Sequence, residues 1–249
     1  PPTANRQPPT ANRQPPTDIE MIPLRHTVAP ARIPLMNRGL VLLNVVIFFA
    51  QLILGPMTER IIQTFGFMPA RLLHPAAYGY APWEVAITLV SSLFLHGGFV
   101  HLIGNLIYLW VFGGAVEDAM GRGRYLLFYV ACGAAGSLLH ASLFPASVIP
   151  SIGASGSIAG VLGAFLVLRP RARIVTLFPL VVYWAMAEIP ALLFLPVWFA
   201  MQFFNGFLSL QAARGTQEVA GVAWWAHVGG FALGMAVGAI VRARKGRVA

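Results

Sequence analysis

Charged residues are scarce in this sequence, and their scarcity excludes an ordinary water-soluble protein. Asp, Glu, Lys and Arg make up only 10% of the 249 residues, whereas about a quarter of a soluble globular domain is charged. Hydrophobic residues make up 57%, and the mean hydropathy is +0.72. The composition is therefore that of a membrane protein with several spans.

Cysteine is also nearly absent. Cys132 is the single cysteine, so an intramolecular disulfide and a cysteine-rich metal site are both excluded. A zinc metalloprotease is disfavoured as well, because the sequence contains no His-Glu-x-x-His motif.

Proline and polar residues dominate the first 17 residues, where the heptapeptide PPTANRQ occurs twice. Such a segment has no apolar face to bury and is typical of disorder. We predict a disordered, basic N-terminal tail over residues 1–37 and assign no function to the repeat. A second short basic tail is predicted over residues 242–249.

Six segments are apolar enough and long enough to cross a hydrocarbon core, which takes about 20 helical residues. They cover residues 38–55, 98–116, 124–144, 150–168, 188–210 and 221–241. The apolar stretch 174–187 is expected to lie in the interface or to extend the fifth span, and Pro179 and Pro190 favour a break there. The aromatic-rich first outside loop, 56–97, is expected at the headgroup level. The sequence therefore predicts an all-α bundle of six spans over residues 38–241.

The basic residues indicate the orientation of this bundle, because Lys and Arg accumulate on the cytoplasmic side of a membrane. If both termini are cytoplasmic, 14 of the 17 basic residues lie inside, and only Arg60, Arg71 and Arg214 lie outside. The net charge of +9 is then mostly a signal of topology. We accordingly expect no binding to nucleic acid.

Polar side chains are costly inside a bilayer, so each one within a span needs a reason. His101 and Asn105 lie near the start of the second span, Ser155 near the start of the fourth and His227 near the start of the sixth. These spans all begin at the outer face. At about 1.5 Å per helical residue, Ser155 lies about 7 Å below a membrane surface at Pro150, and His227 about 9 Å below one at Gly221. The four side chains are therefore expected in one layer.

This set of side chains has the parts of nucleophilic acyl transfer. A serine hydroxyl is a poor nucleophile until a base removes its proton, and the oxyanion that follows needs positioned donors. We expect Ser155 to attack and His227 to act as base and then as acid. His101 and Asn105, four residues apart and hence on one helix face, would donate to the oxyanion beside the Ser155 backbone N–H. None of the eight acidic residues is expected beside His227, so the prediction is a Ser-His dyad.

Glycines support the same arrangement. Gly230, Gly234 and Gly238 form a ridge of small residues on the sixth span, and Gly156 and Gly160 form one on the fourth. Close packing of the two ridges would bring Ser155 and His227 together.

Each of these residues also has a structural interpretation when taken alone. A serine in a membrane helix usually packs or bonds its own helix backbone, and a lone His or Asn usually joins two helices. Ser157, His140 and His74 are interpreted as structural, and His96 is expected to order the chain before the second span. Glu117 is expected to pair with Arg122 or Arg124 or to cap the next helix.

Three motifs together resemble the rhomboid family of intramembrane serine proteases. They are H-x4-H-x3-N at His96, His101 and Asn105; G-x-S-G at Gly153 to Gly156; and H-x2-G-x3-G at His227, Gly230 and Gly234. The resemblance covers residues 38–241. It implies a six-helix rhomboid bundle with a water-accessible cavity open to the outer face.

The resemblance also implies an activity and a set of site residues. Ser155 and His227 would form the catalytic dyad, His101 and Asn105 would stabilise the oxyanion, and Gly153 and Gly156 would supply supporting backbone. Peptide bonds in or near the transmembrane segment of single-pass proteins would be cut, with no metal and no organic cofactor.

Two positions differ from the common pattern of that family. Many members carry a Trp-Arg pair in the first outside loop, whereas this chain has Trp83-Glu84 at a different spacing from the histidine motif. Well-studied members also place a tyrosine four residues after the serine, to stack on the catalytic histidine. Here that residue is Ala159, so other packing must hold His227.

Two other functions fit parts of the pattern. A non-catalytic rhomboid-like protein that binds transmembrane clients typically lacks the serine or the histidine, and both are present. A transporter is disfavoured because the polar set lies toward one face and no inverted repeat is evident. The location expected from six spans with no further N-terminal helix is the cytoplasmic membrane of a bacterium. The oligomeric state and the natural substrate are not indicated.

Overall fold

The computed structural model describes residues 21–179, 184–214 and 222–246. The PPTANRQ repeat, Arg247 and the expected membrane surface at Gly221 lie outside the described residues. Within those ranges the helices are α1 (Leu35–Leu54), α2 (Met57–Phe65), α3 (Pro69–Leu73), α4 (Pro82–Ser91), α5 (Phe99–Met120), α6 (Arg122–Leu143), α7 (Ser155–Leu168), α8 (Ala191–Arg214) and α9 (Trp224–Gly246). The strands are β1 (Ile22–His26), β2 (Arg173–Pro179) and β3 (Trp184–Pro190).

Five helices are long and apolar enough to cross a membrane, namely α1, α5, α6, α8 and α9. The chain is thus a multi-pass membrane protein. The predicted fourth span, 150–168, is shorter than expected, because α7 has only 14 residues. Its length of about 21 Å falls short of a hydrocarbon core of about 30 Å. Nearly all of α7 is buried by its neighbours, which suits a central helix.

A small antiparallel sheet corrects the prediction of an all-α fold. Its strand order is β1-β2-β3, with Val175 opposite Glu188 in the β2–β3 pair. The stretch 174–187, expected to be interfacial or part of the fifth span, lies in these two strands. Its β-branched and aromatic residues favour a strand, and α8 begins only after Pro190.

The predicted tails are also shorter than expected. Residues 21–34 belong to the folded part of the protein, because β1 pairs with β2 and the Tyr108 hydroxyl donates to the Met21 carbonyl at 2.8 Å. At the other end, α9 runs through most of the predicted tail 242–249. The side chain of Arg242 donates to the carbonyl of Val167 near the end of α7 at 3.2 Å. The first strand and the end of α9 therefore lie at the same end of the bundle.

Buried polar contacts fix where α1 docks on α5. The Glu117 carboxylate accepts the backbone N–H groups of Met36 at 3.2 Å and Asn37 at 2.7 Å, which caps the start of α1. Arg122 Nε lies 3.9 Å from Glu117 Oε1. The predicted Arg122 pair is confirmed, but the capped helix is α1 and not the next helix, because the carboxylate points across the bundle.

The backbones of α7 and α9 are in direct contact. A Cβ atom on Gly234 would overlap the carbonyl of Gly160, and one on Gly230 would overlap the carbonyl of Gly156. A Cβ on Gly238 would lie 3.0 Å from the Ala164 Cα. The predicted contact between the two glycine ridges is confirmed, and it places the starts of α7 and α9 side by side.

Candidate active site

A cavity of about 840 Å³ opens at the end of the bundle opposite the sheet. Its lining includes all six residues that the sequence assigned to the site: Ser155, His227, His101, Asn105, Gly153 and Gly156. The structure therefore brings together groups that are separated by more than 120 residues in sequence.

Ser155 is the first residue of α7 and is half-buried. The depth estimate from Pro150 was wrong, because residues 150–154 are not helical. At the first helical position, the N–H groups of Ser155 and Gly156 have no carbonyl within the helix to bond. The positive end of the α7 dipole therefore points at the serine and favours negative charge there.

Gly153 shapes the turn that leads into this helix. Its φ is +119°, a conformation that side chains strain, and its N–H donates to the Ser92 carbonyl at 2.9 Å. A Cβ atom at Gly153 would lie 2.6 Å from His101 Nε2 and 3.6 Å from Asn105 Nδ2. Only glycine allows both nitrogens to approach the turn this closely.

His101 and Asn105 share one face of α5, as their spacing predicts. The Gly97 N–H points at His101 Nδ1 in a long hydrogen bond of 3.5 Å, which leaves the ring proton on Nε2, the atom nearest Gly153. Asn105 is 8% exposed, and its Nδ2 has no hydrogen-bond partner among the described residues. Two N–H donors are thus available beside Ser155.

His227 lies in the first turn of α9 and is 7% exposed. Its Nδ1 is 2.7 Å from Gln202 Oε1. An amide oxygen only accepts, so Nδ1 carries the proton and Nε2 keeps the lone pair. Within the described residues Nε2 has no hydrogen-bond partner. Ser155 and His227 therefore line one cavity without a hydrogen bond between them.

Two tryptophans hold the imidazole ring. Trp198 on α8 lies 6.1 Å from it between centroids at an interplanar angle of 31°, and Trp224 meets it edge-on at 6.0 Å. Ala159 has no ring that could stack on His227, so the two tryptophans provide the aromatic packing that holds the imidazole in place.

Sequence reasoning missed both Gln202 and Trp198. Gln202 is the one strongly polar residue in the run from Ala191 to Phe204, and it lies four residues after Trp198, so the two share a helix face. An isolated amide in a membrane helix was the available signal.

The chain before α5 is fixed to the rest of the bundle. Gln51 on α1 accepts the His96 N–H at 3.1 Å and donates to the His96 carbonyl at 3.2 Å. This agrees with the predicted ordering role of His96. Burial, reinforced by the nearby His101 ring, lowers the pKa of His96 to about 4, so its side chain is neutral at physiological pH.

The first outside loop is joined to the turn before Ser155. Phe67 and Ser151 exchange two backbone hydrogen bonds, of 3.1 and 2.7 Å. Arg71 is 8% exposed and lies over the Tyr80 ring, 4.3 Å from its centroid. Glu84 accepts the Ala81 N–H at 2.6 Å and caps α4.

A rhomboid family model and several known rhomboid proteins match this chain. The Rhomboid domain matches residues 83–244. "Rhomboid protease GluP" of Bacillus subtilis is 47% identical over 78 residues, which are 31% of this chain and 15% of that protein. "RHOMBOID-like protein 6, mitochondrial" of Arabidopsis thaliana is 30% identical over 126 residues, 45% of this chain and 40% of that protein.

A yeast relative matches over a similar region. "Rhomboid protein 1, mitochondrial" of Saccharomyces cerevisiae is 37% identical over 92 residues, 35% of this chain and 27% of that protein. The chain therefore spans less than half the length of each of these three relatives.

Proposed function

We propose that this chain, which belongs to the rhomboid family, is an intramembrane serine endopeptidase that hydrolyses peptide bonds in or near transmembrane segments through Ser155 and His227. One observation carries the proposal: a single cavity holds a serine at a helix N-terminus, a histidine with a free Nε2, and two nitrogen donors.

The first half-reaction uses each of these groups once. The Ser155 hydroxyl attacks the substrate carbonyl carbon while His227 Nε2 accepts its proton. The carbonyl electron pair moves to oxygen, and the oxyanion receives hydrogen bonds from His101 Nε2, Asn105 Nδ2 and the Ser155 backbone N–H. When the C–N bond breaks, the proton on Nε2 passes to the leaving amine.

The second half-reaction repeats these steps with water. His227 Nε2 removes a proton from water as it attacks the acyl-enzyme, and it returns the proton to Ser155 when the ester bond breaks. Water must therefore reach Ser155. The open cavity that Ser155 lines supports this, and so does the length of α7, about 21 Å, which is too short to span a hydrocarbon core of about 30 Å.

Gln202 takes the place that a carboxylate holds in a catalytic triad. No Asp or Glu side chain of the described residues lines the cavity. The amide oxygen of Gln202 keeps Nδ1 protonated and the ring oriented, which is the positioning part of that role. A neutral amide stabilises the imidazolium less than a carboxylate does, so slow turnover is expected.

The membrane setting determines which substrates are suitable. A transmembrane helix bonds its own carbonyls, so a scissile carbonyl must first leave the helix. We therefore propose single-pass membrane proteins as substrates, cut at small residues near helix-breaking ones. The proposed location is the cytoplasmic membrane of a bacterium.

Labelling with a fluorophosphonate probe tests the activity without a known substrate. Purified protein in lipid is compared as wild type, Ser155→Ala, His227→Ala and the control Ser157→Ala. Ser157 is fully buried and lies outside the cavity lining, so its removal should leave labelling intact. Loss in only the first two variants would support an activated Ser155.

One result would replace this proposal. If folded wild-type protein neither reacts with the probe nor cuts a generic transmembrane substrate, the alternative function of binding transmembrane clients without catalysis becomes the better one. Thermal unfolding of each variant separates loss of activity from loss of fold.

A further inference from the structure

A second cavity, of about 520 Å³, lies at the sheet end of the bundle. It is an open cavity lined by the residues after β1, the turn between α7 and β2, the first turn of α8, and α9. Three arginines line it: Arg169, Arg171 and Arg242. The distribution of basic residues predicts that this end faces the cytoplasm.

Among the described residues, no acidic side chain neutralises the positive charge of this cavity. Among the described residues none of the three arginines forms an ion pair, and no acidic side chain lines the cavity. Arg169 Nε is buried and has no hydrogen-bond partner in the described part of the chain. Arg242 uses Nη1 on the Val167 carbonyl, which leaves its other donors free.

Backbone hydrogen bonds hold the main chain around the cavity in place without a ligand. The Ala172 N–H donates to the Arg169 carbonyl at 3.0 Å, and the Ala191 N–H donates to the Ala172 carbonyl at 2.8 Å. The Arg173 N–H donates to Thr27 Oγ1 at 3.0 Å. These bonds fix the main chain around the cavity, so a bound anion would need little reorganisation of the backbone.

The apolar part of the cavity points to the kind of anion. Leu168, Leu192 and Val28 share the lining with the arginines. Leu192 is 60% exposed, and its neighbour Leu193 is 57% exposed, on a helix that is apolar enough to span a membrane. A ligand that fits has a negative charge beside a hydrocarbon chain that can lie along α8.

We propose that this cavity binds the phosphate group of an anionic phospholipid, with Arg169, Arg171 and Arg242 as its charged donors. Guanidinium groups bind phosphate oxygens through paired, charge-assisted hydrogen bonds. Basic pockets between membrane helices on the cytoplasmic side suit such headgroups. The assignment is independent of proteolysis.

Native mass spectrometry of the purified full chain tests this proposal. The protein is extracted from bilayers of phosphatidylcholine with added phosphatidylglycerol, and retained lipid is titrated. The test variant is Arg171→Gln/Arg242→Gln, and the matched control is Arg25→Gln/Arg32→Gln, which removes two exposed arginines at the same end. Arg169 is left unchanged, because its side chain is partly buried and the other two arginines are exposed.

We expect wild type and control to retain one phosphatidylglycerol with affinities within about twofold, and the test variant to bind it at least about tenfold more weakly. Equal binding by test and control variants would overturn the proposal, because attraction would then follow net charge alone. Inorganic phosphate at millimolar concentration should not displace the lipid. Displacement by phosphate would also overturn it, since the site would then accept a soluble anion.

Discussion

The side chain of Gln202 on α8 accepts a hydrogen bond from Nδ1 of His227 on α9, with 2.7 Å between the two atoms. Both side chains are 7% exposed, so little of this bond is open to competition from water. The bond selects the tautomer of His227 that has its lone pair on Nε2. In the proposed mechanism, serine activation therefore depends on a residue of α8 as well as on the two helices that carry Ser155 and His227.

Replacing Gln202 by leucine should slow catalysis by about tenfold to a hundredfold. The variant leaves Nδ1–H buried without an acceptor, which costs about 1–3 kcal/mol, and it no longer fixes the tautomer. Gln202→Glu restores an acceptor and should retain most of the activity. The effect should lie in kcat and not in KM, measured with a transmembrane substrate in lipid. Equal activity of Gln202→Leu and wild type would show that the bond has no part in the reaction.

Replacing Gly153 by alanine should abolish probe labelling of Ser155. The added Cβ would lie 2.6 Å from His101 Nε2, at a φ of +119°, so either the turn or the donor must move. Gly104→Ala serves as the control, because Gly104 lies next to Asn105 on α5 with nothing within 4 Å of a Cβ. Full labelling of Gly153→Ala would contradict the assigned oxyanion geometry.

Replacing Gly234 by alanine should destabilise the protein by about 1–3 kcal/mol through overpacking. The Cβ would overlap the Gly160 carbonyl, which forces α7 and α9 apart. Gly39→Ala, in α1 with nothing within 4 Å of its Cβ, should be neutral or slightly stabilising. Thermal unfolding in detergent compares the two, and a similar Tm for both variants would refute close backbone contact.

Lowering the pH should destabilise the protein through His96. Burial lowers the pKa of His96 from 6.5 to about 4, so the folded state favours the neutral ring. This contribution is complete above pH 6.5 and is lost as the pH falls toward 4, by about 3 kcal/mol in all. The Tm of His96→Gln should therefore fall less between pH 7 and pH 4 than that of wild type. The other buried histidines titrate in both proteins, so parallel curves would exclude this role.

The sequence predicted which residues share the cavity, because its signals were chemical and local. His101 and Asn105 share a helix face by spacing alone, and Gly230 and Gly234 could pack closely against α7 only as glycines. The sheet was missed because apolar composition does not distinguish strand from membrane helix in a run such as 174–187. Gln202 was missed because its partner lies 25 residues away on another helix, a relation that no local pattern contains.

Contact between the α7 and α9 backbones fixes the distance between these two helices at the site. Packed side chains adapt by changing rotamers, but between these glycines there are no side chains to rotate. The distance between the helices that carry Ser155 and His227 is thus set by direct contact between their backbones. Trp198 and Gln202 of α8 contact His227 through their side chains. The position of α8 relative to His227 can therefore adjust through rotamer changes. Any displacement of α8 would therefore loosen the support of His227 while leaving the contact between α7 and α9 intact.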